Sequence, residues 1–178
     1  MNISLPLPLE TNSLDSMSTH IDSIRIRANS LLDESKRGQM GQFMTPSAAA
    51  RLLADMFRDL SGDIKVLDAG AGVGSLTGAL IERALESFSP NTIEANAWEL
   101  DSILVENLHE TLEVCEERCQ SLNVSFGSKV NSRDFIEHAV ALLKLKESGE
   151  ETLVFNKAIL NPPYLKISAK SKERELLR

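Results

Sequence analysis

The stretch "AILNPPYLK" (158–166) sets an amide, two prolines and a phenol directly behind a short apolar run. Each proline holds its own φ at about −65° and neither can donate to a sheet ladder, so the run ends in a stiff, extended corner. Such a corner suits a flat, electron-poor amino group. The exocyclic nitrogen of adenine is a weak nucleophile, because its lone pair is delocalised into the ring. Two acceptors, the Asn161 side-chain oxygen and the Pro162 carbonyl, can take its two protons and favour a pyramidal, attacking nitrogen without a strong base. Tyr164 offers a face on which an extruded base can stack, and Pro162 with Pro163 keeps the group rigid. Taken alone, the same four residues also make an ordinary turn.

Three further stretches carry residue types that belong with a nucleoside ligand. In "LDAGAGVGS" (67–75), Gly70, Gly72 and Gly74 allow the backbone to approach a ligand that a Cβ would block, and lead into a helix N-terminus. Their spacing is GxGxG, whereas a dinucleotide-binding turn uses GxGxxG. Asp68 places negative charge beside the loop and suits a cationic ammonium group better than a phosphate. Glu99 follows 25 residues after Gly74, where an acid in a doubly wound fold reaches ribose hydroxyls. In "SRDF" (132–135), Asp134 can accept an adenine amino proton while Phe135 covers a ring face. Each feature also has a plain structural reading: a tight turn, an exposed acid at a strand end, a helix N-cap beside a core ring.

These residues need elements to hold them. Residues 1–20 mix Pro, Ser and Asn without periodicity and read as an irregular arm. From Asp22, the apolar positions Ile24, Ala28, Leu31 and Leu32 predict a helix capped at Gly38. Thr45 and Pro46 predict the start of a second helix, with Leu52, Leu53, Met56, Phe57 and Leu60 as its buried stripe and Gly62 as its end. Strand and helix then alternate: strands over 64–70, 91–101, somewhere in 123–132 and over 151–160, with helices over 75–88, from Asp101 onward and over 135–144. That alternation predicts an α/β fold with a mostly parallel, Rossmann-like sheet and right-handed crossovers. Ligands of such sheets bind at the carboxyl ends of the strands, where all four motifs fall. Two regions follow, an N-terminal arm and helix (1–40) and the α/β portion (41–178).

Composition narrows the classes. With 178 residues and 42% hydrophobic content the chain can bury one core. A net charge of −7 excludes a surface that is basic throughout, yet residues 157–178 carry six Lys or Arg against two Glu. A polyanion, if bound, meets that end, through Lys166, Lys170, Lys172 and Arg174. Cys115 and Cys119 fall on one helix face and read as core. His20, His109 and His138 show no ligand spacing with them, so no metal is expected. No apolar run reaches the roughly 20 residues of a membrane span, and the chain is expected to be soluble and cytoplasmic.

Taken together, "GQFMTP", "LDAGAGVGS", "WELD", "SRDF" and "NPPY", in that order over residues 22–178, resemble the gamma class of amino-group DNA methyltransferases of restriction-modification systems in bacteria and archaea. The resemblance implies the S-adenosylmethionine-dependent methyltransferase fold, S-adenosylmethionine as cofactor and double-stranded DNA with a target adenine as partner. Thr45 and Pro46 would line the methionine end of the cofactor, Asp68, Gly70, Gly72 and Gly74 its amino acid moiety, and Glu99 the ribose. Leu100 would touch the adenine ring, with Asp134 and Phe135 on its amino group and face. Asn161, Pro162, Pro163 and Tyr164 would hold the target base. The family's sheet has seven strands and a target-recognition domain usually follows. The chain is therefore expected to be truncated after its fourth strand, weak or inactive alone, and open to a partner chain or a second copy along its exposed sheet edge. Methylation of a protein glutamine amide, which poses the same electronic problem, and noncatalytic cofactor or partner binding are the alternatives.

Overall fold

The computed structural model describes residues 16–32, 44–149 and 152–161. Helix α1 (Met17–Leu31) begins earlier than Asp22, because the Ser16 hydroxyl accepts from the Thr19 N–H at 3.3 Å and caps it. Residues 17–20 are thus helical, not part of an irregular arm. Met17, Ile21, Ile24 and Ala28 form the buried stripe, while Leu31 faces outward. The expected cap at Gly38 lies outside the described residues.

Helix α2 (Ser47–Asp55) has Pro46 at its N-cap position with no side-chain cap, so Thr45 does not serve that role. Its buried residues are Ala50 and Ala54, not the predicted leucine stripe: Leu52 is 68% and Met56 72% exposed. "SAAARLLADMF" carries apolar residues on more than one face, so periodicity alone leaves the phase undecided. The two alanines decide it, since small residues at i and i+4 let α2 sit close on α3 (Ser75–Ser87). Arg51–Glu86 (2.9 Å) and Arg83–Asp55 (3.2 Å) pairs flank that contact. Leu60 is buried beyond the helix, and Gly62 opens a strand instead of ending α2.

The sheet has four described strands in the order β3-β2-β1-β4, all pairs parallel. These are β1 (Gly62–Ala69), β2 (Pro90–Trp98), β3 (Ser125–Asn131) and β4 (Lys157–Ala158). Helix α3 crosses from β1 to β2, α4 (Ser102–Ser121) from β2 to β3 and α5 (Phe135–Glu147) from β3 to β4. The chain therefore folds as a Rossmann-like α/β unit whose topology reverses between β1 and β4. A crevice outside the carboxyl ends of those two strands is where such sheets take ligands.

Alternation along the strands divides the two faces. Ile64 and Val66 of β1 and Ile93 of β2 pack with α3, Cys115 and Cys119 in one core, and Ala95 and Ala97 pack on Leu108 and Leu112 of α4. Both cysteines are free and buried, as their spacing suggested. Gly78 lies where α1 crosses α3, and a Cβ there would collide with Ile21. On the opposite face, Trp98 meets Phe135 edge-on at 5.4 Å and Phe155 at 6.1 Å.

Strand β4 is far shorter than the predicted 151–160. The reason is Asn156, whose amide oxygen accepts from the Lys65 N–H (2.8 Å) while its Nδ2 donates to the Asp63 carbonyl (2.7 Å). A side chain takes the place of main chain along that part of β1. Regular pairing starts only at Lys157, and the Ile159 N–H donates to the Leu67 carbonyl at 3.0 Å.

Candidate active site

A cavity of about 440 Å³ opens at the carboxyl ends of the strands. Its floor is the β1–α3 loop, Ala69 to Val73, with Ser75 and Leu76 behind it. One wall is Trp98, Glu99 and Leu100 after β2, and a second is Arg133 to Ile136 after β3. Leu160 and Asn161 after β4 face Met44 and Thr45 ahead of α2. Five segments far apart in sequence thus meet, four of them because the parallel sheet delivers every strand end to the same edge.

The loop amides are largely engaged within the fold. Gly70 N–H and Ala71 N–H both donate to the Trp98 carbonyl at 2.9 Å, and Gly72 N–H donates to Glu99 Oε2 at 2.8 Å. Glu99, which follows β2 directly, accepts two more hydrogen bonds on Oε1, from Leu100 N–H (2.8 Å) and Asp101 N–H (2.9 Å). Its buried carboxylate therefore clasps the glycine loop to the start of α4 while bordering the cavity. Asp101 caps α4, accepting from Ile103 N–H at 2.9 Å.

Two predicted site residues sit behind the cavity wall. Gly74 has φ 83°, and a Cβ on it would stand 2.8 Å from Leu108 Cδ1 and 3.1 Å from Thr111 Cγ2, so it provides close packing of the loop on α4. Asp68 is fully buried and accepts from Thr77 Oγ1 at 2.7 Å. Its other oxygen has no hydrogen-bond partner among the described residues. Burial pushes the Asp68 carboxyl up to about 7, against the Thr77 hydrogen bond and with added repulsion from Glu99. The expected fixed charge beside the loop is a carboxyl that titrates near neutrality.

Of the remaining predicted residues, Thr45, Gly70, Gly72, Glu99, Leu100, Asp134, Phe135 and Asn161 line the cavity, whereas Pro46 stands exposed just outside it. Asp134 doubles as the N-cap of α5, accepting from Glu137 N–H at 2.9 Å, so the structural reading of this acid also holds. Asn161 Nδ2 donates to Thr45 Oγ1 at 3.2 Å. Pro162, Pro163, Tyr164, Lys166, Lys170, Lys172 and Arg174 lie outside the described residues.

Several lining residues went unassigned from sequence. Trp98 stands at the head of "WELD", and its Nε1–H donates to His138 Nδ1 at 2.9 Å. That bond requires an unprotonated Nδ1, in keeping with a His138 pKa lowered by burial and then by Arg133 and Lys129. Ser75 had a usable signal, being the first residue after the last loop glycine: its buried hydroxyl borders the cavity without a hydrogen-bond partner among the described residues. Among the described residues no cluster of His, Cys, Asp or Glu is placed to hold a metal, and no helix is long and apolar enough to cross a membrane.

Comparison with known proteins adds sequence similarity to this geometry. No family model matches the chain. It is 41% identical over 172 residues to "Type II methyltransferase M.PstI" of Providencia stuartii, an alignment covering 97% of this chain and 32% of that protein. To "Type II methyltransferase M.BsuBI" of Bacillus subtilis it is 38% identical over 161 residues, 89% of this chain and 30% of the relative. The chain is similar in sequence to Type II methyltransferases. It spans about a third of the length of the relatives it matches. Haemonchus contortus phosphoethanolamine N-methyltransferase 1, solved with phosphoethanolamine and S-adenosylhomocysteine, aligns over 69% of this chain and 24% of its own at 16% identity and a TM-score of 0.31. The fold assignment rests on the strand order and the crossovers.

Proposed function

We propose that the chain carries the cofactor pocket and target-nitrogen corner of an S-adenosylmethionine-dependent DNA methyltransferase of restriction-modification type, acting on the N6 amino group of a flipped adenine. The observation that carries this reading is the position of Asn161. It follows the strand beside β1 and opens on the same cavity as the glycine loop and Glu99. Similarity to Type II methyltransferases along nearly the whole chain supports it.

The residues present fit the cofactor. A cavity of about 440 Å³ falls in the range of small-molecule sites, and the Ser75 hydroxyl is a buried polar atom that a ligand would satisfy. Glu99 would hold the ribose hydroxyls, Asp134 the adenine amino group, and Phe135 with Leu100 the ring. Gly70 and Gly72 would admit the amino acid end, with Thr45 and Pro46 beside it. Asp68 would act from behind once ionised, and Gly74 through packing. When bound, the cofactor supplies a methyl group activated on a sulfonium. Asn161 and the Pro162 carbonyl would accept the two hydrogens of the target amino group and stabilise positive charge as it builds on nitrogen. Pro163 would stiffen the corner and Tyr164 stack on the base. Lys166, Lys170, Lys172 and Arg174 would meet DNA phosphates.

Glu99→Ala is expected to weaken S-adenosylmethionine binding by about ten- to a hundredfold, the range for losing charged hydrogen bonds. Calorimetric titration measures it, and unchanged affinity would remove Glu99 from the pocket. The function itself is tested by incubating the intact protein with methyl-labelled cofactor and duplex DNA, then analysing the nucleosides. Label is expected in N6-methyladenine; label only in N4-methylcytosine or in protein glutamine would replace this reading.

A further inference from the structure

We propose that Thr45 is a positioning residue for Asn161, fixing the orientation of its amide by taking a hydrogen from Nδ2. The inference rests on the proposed function for its chemistry and on the Thr45–Asn161 contact for its geometry. A primary amide is nearly symmetric in shape but not in polarity. With its oxygen toward a substrate amino group it accepts; flipped, it presents N–H to N–H and repels. With the Thr45 oxygen accepting from Nδ2, the amide is held in the first of these orientations. Thr45 Oγ1 stands 3.2 Å from Asn161 Nδ2, across 116 residues of sequence, and both residues line the cavity. With Nδ2 held there, Oδ1 occupies the other corner of the planar group and is directed away from Thr45.

The support behind Thr45 is stiff enough for this task. As the residue before a proline it is biased toward extended backbone, and Pro46 follows with φ −62° and ψ 153° at the N-cap of α2. Ala50 N–H donates to the Pro46 carbonyl at 2.9 Å, and Ser47 N–H donates to Asp22 Oδ1 on α1 at 3.2 Å. Asp22 is in turn held by Arg25 Nε at 2.7 Å. Ala50 and Ala54 press α2 onto α3. The hydroxyl therefore hangs from a frame of three helices, while Asn161 hangs from the sheet through Ile159 and Leu67. This side-chain bond links the two across the cavity. Thr45, the residue that looked like a helix cap, stands one position before the N-cap and has its hydroxyl on Asn161 instead.

Thr45→Val keeps shape and loses the acceptor; Thr45→Ser keeps the acceptor. In the ¹⁵N-labelled chain, the Asn161 side-chain amide pair is assigned by its disappearance in Asn161→Asp. Exchange of that pair with water should rise more than about tenfold in Thr45→Val and stay near the parent rate in Thr45→Ser. In the intact protein, Thr45→Val should lower kcat about a hundredfold, the order expected for a misplaced reacting group, a far larger loss than any in S-adenosylmethionine affinity, with Thr45→Ser restoring most of the rate. Unchanged amide exchange in Thr45→Val would overturn the inference. So would a loss borne wholly by cofactor affinity, or Thr45→Ser falling as far as Thr45→Val. If the unmutated intact protein transfers no methyl group to DNA, the proposed function fails, and the amide exchange alone then decides the role of Thr45.

Discussion

Asn161→Ala should lower the single-turnover rate of methyl transfer about a thousandfold, the upper range for removing one preorganised acceptor or donor from developing charge, while S-adenosylmethionine affinity changes less than about twofold. The split follows from where the side chain sits. Its backbone is anchored beside β1, outside the clasp by which Glu99 holds the glycine loop, so truncation at the β-carbon leaves that part of the cavity as it was. The lost interaction is made with the target nitrogen and strengthens as that nitrogen becomes positive, which places its cost in the rate. Calorimetry and rapid-quench kinetics on the same preparation measure both halves. A near-parental rate would remove Asn161 from the chemistry, and a parallel loss of cofactor affinity would move it to the cofactor pocket.

The order of strands and helices was legible because each β1-to-β4 step carries its own punctuation. At β1 and β2 a buried apolar run ends in glycine or an acid before a helix, and after the largely exposed β3 Asp134 marks the next helix start. Asp101 and Asp134 were readable as caps, and both cap. In two places a contact distant in sequence decided the matter. The phase of α2 is set by α3 against its alanines, and the length of β4 by the Asn156 amide bonding across to β1. Neither is encoded in the periodicity of the segment concerned.

The candidate site divides the same way. Which residues reach the cavity edge follows from strand order, so Glu99, Asp134, Phe135 and Asn161 could be named from their places after strands. Which way a side chain turns does not follow. Gly70 and Gly74 look alike in "LDAGAGVGS", yet one borders open space and the other packs on Leu108. Asp68 lies one residue before a cavity residue, and strand alternation turns it to the helix side, onto Thr77. Thr45 looked like a cap because the hydroxyl-proline pair is a helix-start signal, and nothing local reveals a partner 116 residues away.

The turn of Asp68 carries its own expected result: Asp68→Asn should be more stable than the parent chain at pH 8.5, by about 4 kcal/mol, and this advantage should fade by pH 4. In the folded chain its carboxyl is raised from 3.8 to about 7, because ionising it puts charge where water does not reach. A group with a raised folded pKa contributes its full stability below the unfolded pKa. That contribution is lost as pH rises through the folded value, so the parent chain weakens from about pH 4 to pH 7 and levels off above. Asparagine keeps an acceptor for Thr77 and has no charge to bury. His138 works in the opposite direction over part of this range, since its folded pKa is lowered and stability falls as pH drops below about 6.5. The difference between the two proteins, not either profile alone, therefore isolates Asp68. Urea unfolding at pH 4, 5.5, 7 and 8.5 reads it. A difference that stays flat with pH would mean that the Asp68 carboxyl titrates as it does in the unfolded chain, and that its unpartnered oxygen has found a donor.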